Sequence, residues 1–172
     1  LAAYPLTLNV ERYHDDSPWA VYPMTFSLVP ASHFTVWGPG DAEGHSLVSP
    51  GNRIAFEKVF EKMDLGTYRA RTTIVNSMER RVNIIVATSN PVKVNLNGEM
   101  LFEEQNETIF MPAYHRAPKD KRADVLLSAG DHVLEVEVEK EETPLDIYLL
   151  IVATSETKTP GNYYYYTDIL YV

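Results

Sequence analysis

Apolar and polar residues alternate along much of this chain with the period of two that marks a strand with one buried face. Leu6-Thr7-Leu8-Asn9-Val10 is the first such run. Residues 24–29 and 34–37 read as two more, and Trp37-Gly38-Pro39-Gly40 ends the second abruptly. Between the first and second runs, residues 13–19 mix turn formers with aromatics, and Pro18 and Pro23 discourage a helix. The expectation there is a long loop or a ragged edge strand. Residues 41–53, rich in Gly, Ser, Pro, Asp and Asn, read as a loop.

The pattern then becomes ambiguous. Ile54, Phe56, Val59, Phe60 and Met63 trace an i, i+3, i+4 stripe that predicts a short helix, while Ile54, Phe56 and Lys58 equally fit one side of a strand over 53–60. From residue 68 onward the reading is nearly continuous β-structure: 68–75, 82–87, 92–96, 124–127, 133–140, 145–154 and 163–172. Within 82–87 both faces are apolar, as expected of an inner strand covered on both sides. Asn97-Gly98 supplies the positive φ angles of a tight hairpin turn. Leu134, Val136 and Val138 point one way and Glu135, Glu137 and Glu139 the other. That acidic row has the look of a calcium cluster, but a solvated face that discourages edge pairing is the plainer reading. Short strands at regular spacing with at most one short helix give an all-β chain, a β-sandwich of jelly-roll type.

Composition narrows function mainly by exclusion. With 172 residues and no internal repeat or linker, residues 1–172 read as a single domain large enough to bury a core. The chain starts at Leu1 rather than Met, so the expectation is a module cut from a larger protein. The absence of cysteine removes disulfides, thiolate metal sites and cysteine nucleophiles together. A formal charge of −9 opposes the counterion release that drives nucleic-acid binding. No apolar run approaches the ~20 residues that span a bilayer as a helix, so no membrane insertion is expected.

Several segments resemble the galactose-binding-domain-like jelly rolls that serve as accessory, carbohydrate-binding modules beside bacterial carbohydrate-active enzymes. Phe34-Thr35-Val36-Trp37-Gly38-Pro39 is similar to their opening aromatic strand, with Phe34 where a tryptophan is usual. Arg69-Ala70-Arg71-Thr72 sits where they enter an Ala-Arg-Thr strand, and Val92-Lys93-Val94-Asn95-Leu96-Asn97-Gly98-Glu99 resembles their signature hairpin. Ala123 to Gly130 matches the strand and turn before the Leu134/Val136/Val138 strand. Related lectin-like domains carry paired aspartates before the signature hairpin that bind calcium. This chain has Thr88-Ser89-Asn90-Pro91 there, and loss of both carboxylates argues against that metal site.

Catalysis needs a nucleophile and base, a metal, or a carboxylate pair in a cleft, and no such local signature occurs. The five histidines, His14, His33, His45, His115 and His132, lack zinc spacing. A sugar site is chemically simpler, because pyranose C–H faces stack on aromatic rings while hydroxyls pair with polar side chains. Aromatics in or beside loops are the candidates, namely Trp19, Tyr22, Trp37 and Tyr114, with Asp15, His115 and Arg116 as polar neighbours. The tyrosine run 163–166 fits cross-strand packing better than an exposed platform.

The sequence reading is therefore a non-enzymatic, carbohydrate-binding accessory module that targets an attached or partner enzyme to polysaccharide or oligosaccharide. Its partners are the glycan and a neighbouring catalytic domain, not nucleic acid. No catalytic or metal residue and no cofactor is assigned, and a structural calcium is left open without a motif to support it. The resemblance implies an extracellular, cell-surface or periplasmic bacterial location. The alternative is a structural β-sandwich that mediates interdomain packing or oligomerisation without a ligand of its own.

Overall fold

A computed structural model describes residues 5–12, 20–27, 31–49, 53–107, 121–153 and 169–172, with the backbone alone for the first two segments and residue 153. Among these residues all ladders are antiparallel. Strands β1 (Pro5–Arg12) and β2 (Ala20–Ser27) form a two-stranded sheet. The large sheet has the order β4 (His45–Ser49), β3 (Ser32–Trp37), β5 (Gly66–Asn76), β10 (Gly130–Lys140), β7 (Val92–Leu96) and β8 (Glu99–Glu104), and β12 (Leu170–Tyr171) also pairs with β5. The small sheet has the order β11 (Tyr148–Ala153), β6 (Arg80–Ala87) and β9 (Arg122–Leu127). From β5 onward the chain passes repeatedly between these two sheets, the winding of a jelly-roll sandwich.

The period-two pattern explains why the sheets stack. Tyr68, Ala70 and Ile74 of β5, Leu134, Val136 and Val138 of β10, and Val92, Val94 and Leu96 of β7 are buried on one side. They meet Val82, Ile84 and Val86 of β6, Leu127 of β9, and Leu149 and Ile151 of β11 in one core. Burying each large aliphatic side chain is worth about 1.5–3 kcal/mol against exposure. Strand β6 is covered on both faces, since Ile85 also packs with Leu150 and Val152 in a second cluster, as its two-sided apolar pattern implies.

Asn97 and Gly98 adopt φ of 53° and 82°, the left-handed conformation required of a two-residue turn joining twisted strands. A side-chain clamp holds this hairpin. The Val133 N–H donates to Asn97 Oδ1 at 2.9 Å, which leaves Asn97 Nδ2 to donate to His132 Nδ1 at 3.0 Å. Nε2 of His132 then donates to the Ser128 carbonyl at 2.9 Å. His132 is thus a buried framework group.

Three expectations are corrected. Residues 41–53 contain β4, an edge strand that pairs with β3 from Ser32↔Ser49 to Val36↔His45. Its polar composition hid it, because Leu47 is its one large buried side chain. Residues 53–60 form neither the helix nor the strand, but a single 3-10 turn, Phe56–Lys58. Ile54, Ala55 and Phe56 are all buried in succession, a demand that neither regular periodicity meets. Finally, the glutamates of β10 do not guard an edge. β10 lies inside the large sheet between β5 and β7, so Glu135 and Glu137 face residues on both neighbours.

Candidate functional site

Register places one row of outward residues across five strands of the large sheet. Trp37 on β3 lies opposite Arg69 on β5, Arg69 opposite Glu137 on β10, Glu137 opposite Lys93 on β7, and Lys93 opposite Glu103 on β8. The inner neighbours Val36, Ala70, Val136, Val138, Val92 and Val94 are buried, so alternation turns the row outward. Charge alternates along it, cationic at Arg69 and Lys93 and anionic at Glu137 and Glu103. Cross-strand opposite charges commonly pair. Here, among the described residues, none of these four closes an ion pair or side-chain hydrogen bond, whereas the adjacent Arg71 and Glu135 approach to 3.8 Å.

At the head of the row the Arg69 guanidinium carbon lies 5.0 Å from the Trp37 ring centroid. A cation over an indole face is held electrostatically and keeps its N–H donors available at its rim. Trp37 is half-buried, as its place beyond the inward Phe34 and Val36 allows. Gly44 sets its position, because a Cβ there would lie 2.7 Å from Cε2 and Cζ2 of the indole and 2.4 Å from Thr35 Cγ2. Gly44→Ala is therefore expected to displace the ring and to cost about 1–3 kcal/mol through overpacking. Thermal unfolding together with the indole fluorescence maximum checks this; an unshifted maximum at unchanged stability would contradict it.

The other end of the row opens into a groove of roughly 350 Å³ lined by Lys93, Glu103 and Glu137 together with Thr67, Gln105 and Glu139. Thr67 Oγ1 donates to Glu139 Oε2 at 2.6 Å, which holds one wall. Pro91 forms another part of the lining, and its turn rests on Lys121, whose side chain is fully buried. Lys121 Nζ donates to the carbonyls of Thr88 at 2.8 Å and Asn90 at 2.9 Å. Burial pushes its ammonium down to about 8, partly opposed by Glu104. An ammonium thus satisfies the carbonyls of the turn where the resemblance would have carried an aspartate pair. Among the described residues, no three His, Asp or Glu side chains gather as a metal cluster.

Of the residues proposed from sequence, Trp37 stands in this site. Tyr22 falls on β2, where the backbone alone is described, and Asp15, Trp19, Tyr114, His115 and Arg116 lie outside the described residues, as does the tyrosine run 163–166. Arg69, Glu137, Lys93 and Glu103 were missed as a group. Each showed in the sequence as an outward polar position, but their alignment depends on pairing between strands distant along the chain.

No protein-family model and no curated protein matches the chain. Among solved structures, a β-glucosidase from Kluyveromyces marxianus overlays with a TM-score of 0.54 at 12% identity, over 71% of this chain and 16% of that one. An anti-sigma factor domain-containing protein overlays at 0.50 and 12% identity, over 87% of this chain and 55% of the other. The likeness is one of fold. A family 35 carbohydrate binding module from Clostridium thermocellum overlays more loosely, with a TM-score of 0.38 at 10% identity, over 71% and 95% of the two chains. This chain therefore spans about a sixth of the β-glucosidase and about half of the anti-sigma factor protein.

Proposed function

We propose that this chain is a non-catalytic carbohydrate-binding module whose ligand rests on the outer face of the large sheet. The observation that carries the reading is the half-buried Trp37 indole under Arg69, at the head of a row of charged side chains that leave one another unpaired. An indole offers an apolar surface to a pyranose C–H face. Guanidinium and ammonium groups donate to sugar hydroxyls, and carboxylates accept from them, in charge-assisted bonds stronger than neutral ones. The module would hold an attached or partner enzyme close to its polysaccharide and raise the effective concentration of one for the other.

A glycan array followed by calorimetry on the chain tests this. Saturable binding to a defined glycan, with no turnover of it, is the expected result. Silence across plant, host and microbial glycans would remove the reading and leave the structural β-sandwich in its place, while hydrolysis of a glycoside by the chain would defeat its non-catalytic part.

A further inference from the structure

We infer, resting on the carbohydrate-binding reading above, that the ligand is an internal segment of a neutral, linear polysaccharide laid across the strands, rather than a chain end or a charged polymer. Three features of the outer face support this. The row from Trp37 to Glu103 crosses five strands in continuous register. Four interstrand steps of about 4.8 Å make it roughly 19 Å long. A pyranose with its linking oxygen extends about as far as one such step, so the row accommodates about four consecutive units.

The shape of the far end points the same way. The groove is lined by side chains of β5, β10, β7 and β8, so the row leads into a depression that itself crosses several strands. An end-recognising site would instead close around one ring and saturate its hydroxyls there. In this site the aromatic surface and the polar groove are on different strands, with Arg69 between Trp37 and the groove wall at Glu137.

Charge selects the class of polymer. The four ionised residues of the row cancel, two positive against two negative, and because they do not pair with one another each can meet a hydroxyl. Glu104, Glu139 and Glu141 line the groove beside them, and the whole chain carries −9. A uronate-bearing or sulfated chain would thus be repelled along the second half of its path. A hydroxyl-rich neutral chain satisfies donors and acceptors alternately without burying unmatched charge.

The test is calorimetry of the chain with neutral β-linked gluco-, manno- and xylo-oligosaccharides of one to six units, and with an oligogalacturonate series of the same lengths. In the neutral series that binds, affinity is expected to climb to about four units and then level off. Glu103→Gln and Lys93→Gln alter exposed or half-buried groups and leave the core intact, so each is expected to weaken the tetramer about threefold. Affinity already complete with one sugar would overturn the inference, as would a tetramer insensitive to both variants or tighter binding of the galacturonate series. A dimer of the chain that dissolves on Trp37→Ala would assign the face to a second copy and overturn it too. Absence of binding to every oligosaccharide and to the array would defeat the carbohydrate-binding reading itself, an outcome distinct from binding without length dependence.

Discussion

Replacing Trp37 by alanine is expected to lower affinity for the bound glycan at least ~30-fold, because buried aromatic anchors at binding sites commonly contribute 2 kcal/mol or more. The effect has two sources. The variant removes the ring on which a sugar face would rest, and it also frees the Arg69 guanidinium that the ring holds in place. Trp37→Phe should recover part of the affinity, since a smaller aromatic still presents a π face. The stability cost should stay near 1–2 kcal/mol, because the side chain is half-buried and outside the core formed by Phe34, Val36 and Tyr68. Calorimetry and thermal unfolding on the same samples separate the two effects. Binding unchanged in Trp37→Ala would remove the indole from the site.

The second large effect concerns Lys121. Its ordinary value of 10.5 falls to about 8 on burial, so between those values the unfolded chain holds a proton that the folded chain has released. Unfolding takes up that proton, and stability must rise with pH across the window. A displacement of this size corresponds to at most about 3 kcal/mol, gained progressively from pH 8 to 10.5. Burial acts oppositely on the Tyr171 phenol, whose pKa it raises, so above pH 10 the folded state loses stability through that group. The expected profile of unfolding free energy against pH therefore climbs from neutrality towards pH 10 and then turns over.

Lys121→Met should abolish the climb. At neutral pH the same variant leaves the carbonyls of Thr88 and Asn90 without their donor, at a cost of about 1–3 kcal/mol for each buried group that finds no other. Urea unfolding of both proteins across this pH range is the measurement. A wild-type profile that falls between pH 8 and 10, or a variant that keeps the climb, would contradict this assignment.

Much of the fold was legible because its strands are local patterns. The in-out alternation of Leu134 to Glu139 and the two-sided apolar run of β6 each follow from a few consecutive residues. So does the Asn97-Gly98 turn, because positive φ at both positions strongly restricts the residue types. What escaped depended on longer range. β4 is an edge strand whose pairing with β3, rather than its own composition, makes it a strand. Ile54 to Phe56 follow no period because they plug a gap in the core while Ile54 N–H bonds the Ile147 carbonyl, far along the chain. Lys121 sat in a charged run with Lys119, Asp120 and Arg122 that gave no sign of its complete burial.

The candidate site was legible only at Trp37. Its indole stood out as an aromatic beside a Gly-Pro turn, but the significance of Arg69, Glu137, Lys93 and Glu103 arises from register. Glu137 lies between Arg69 and Lys93 only because β10 pairs with β5 on one edge and β7 on the other. Read along the sequence alone, the same glutamate belonged to an acidic face that seemed made to repel neighbouring strands.

Chemical-shift mapping of the isotopically labelled chain, titrated with the glycan that binds most tightly, tests the central claim most directly. Perturbations are expected at the Trp37 indole N–H and along Arg69, Glu137, Lys93 and Glu103, decaying towards the core residues beneath them. Shifts confined to other surfaces, with the Trp37 indole unmoved at saturation, would contradict the placement of the site on the outer face of the large sheet.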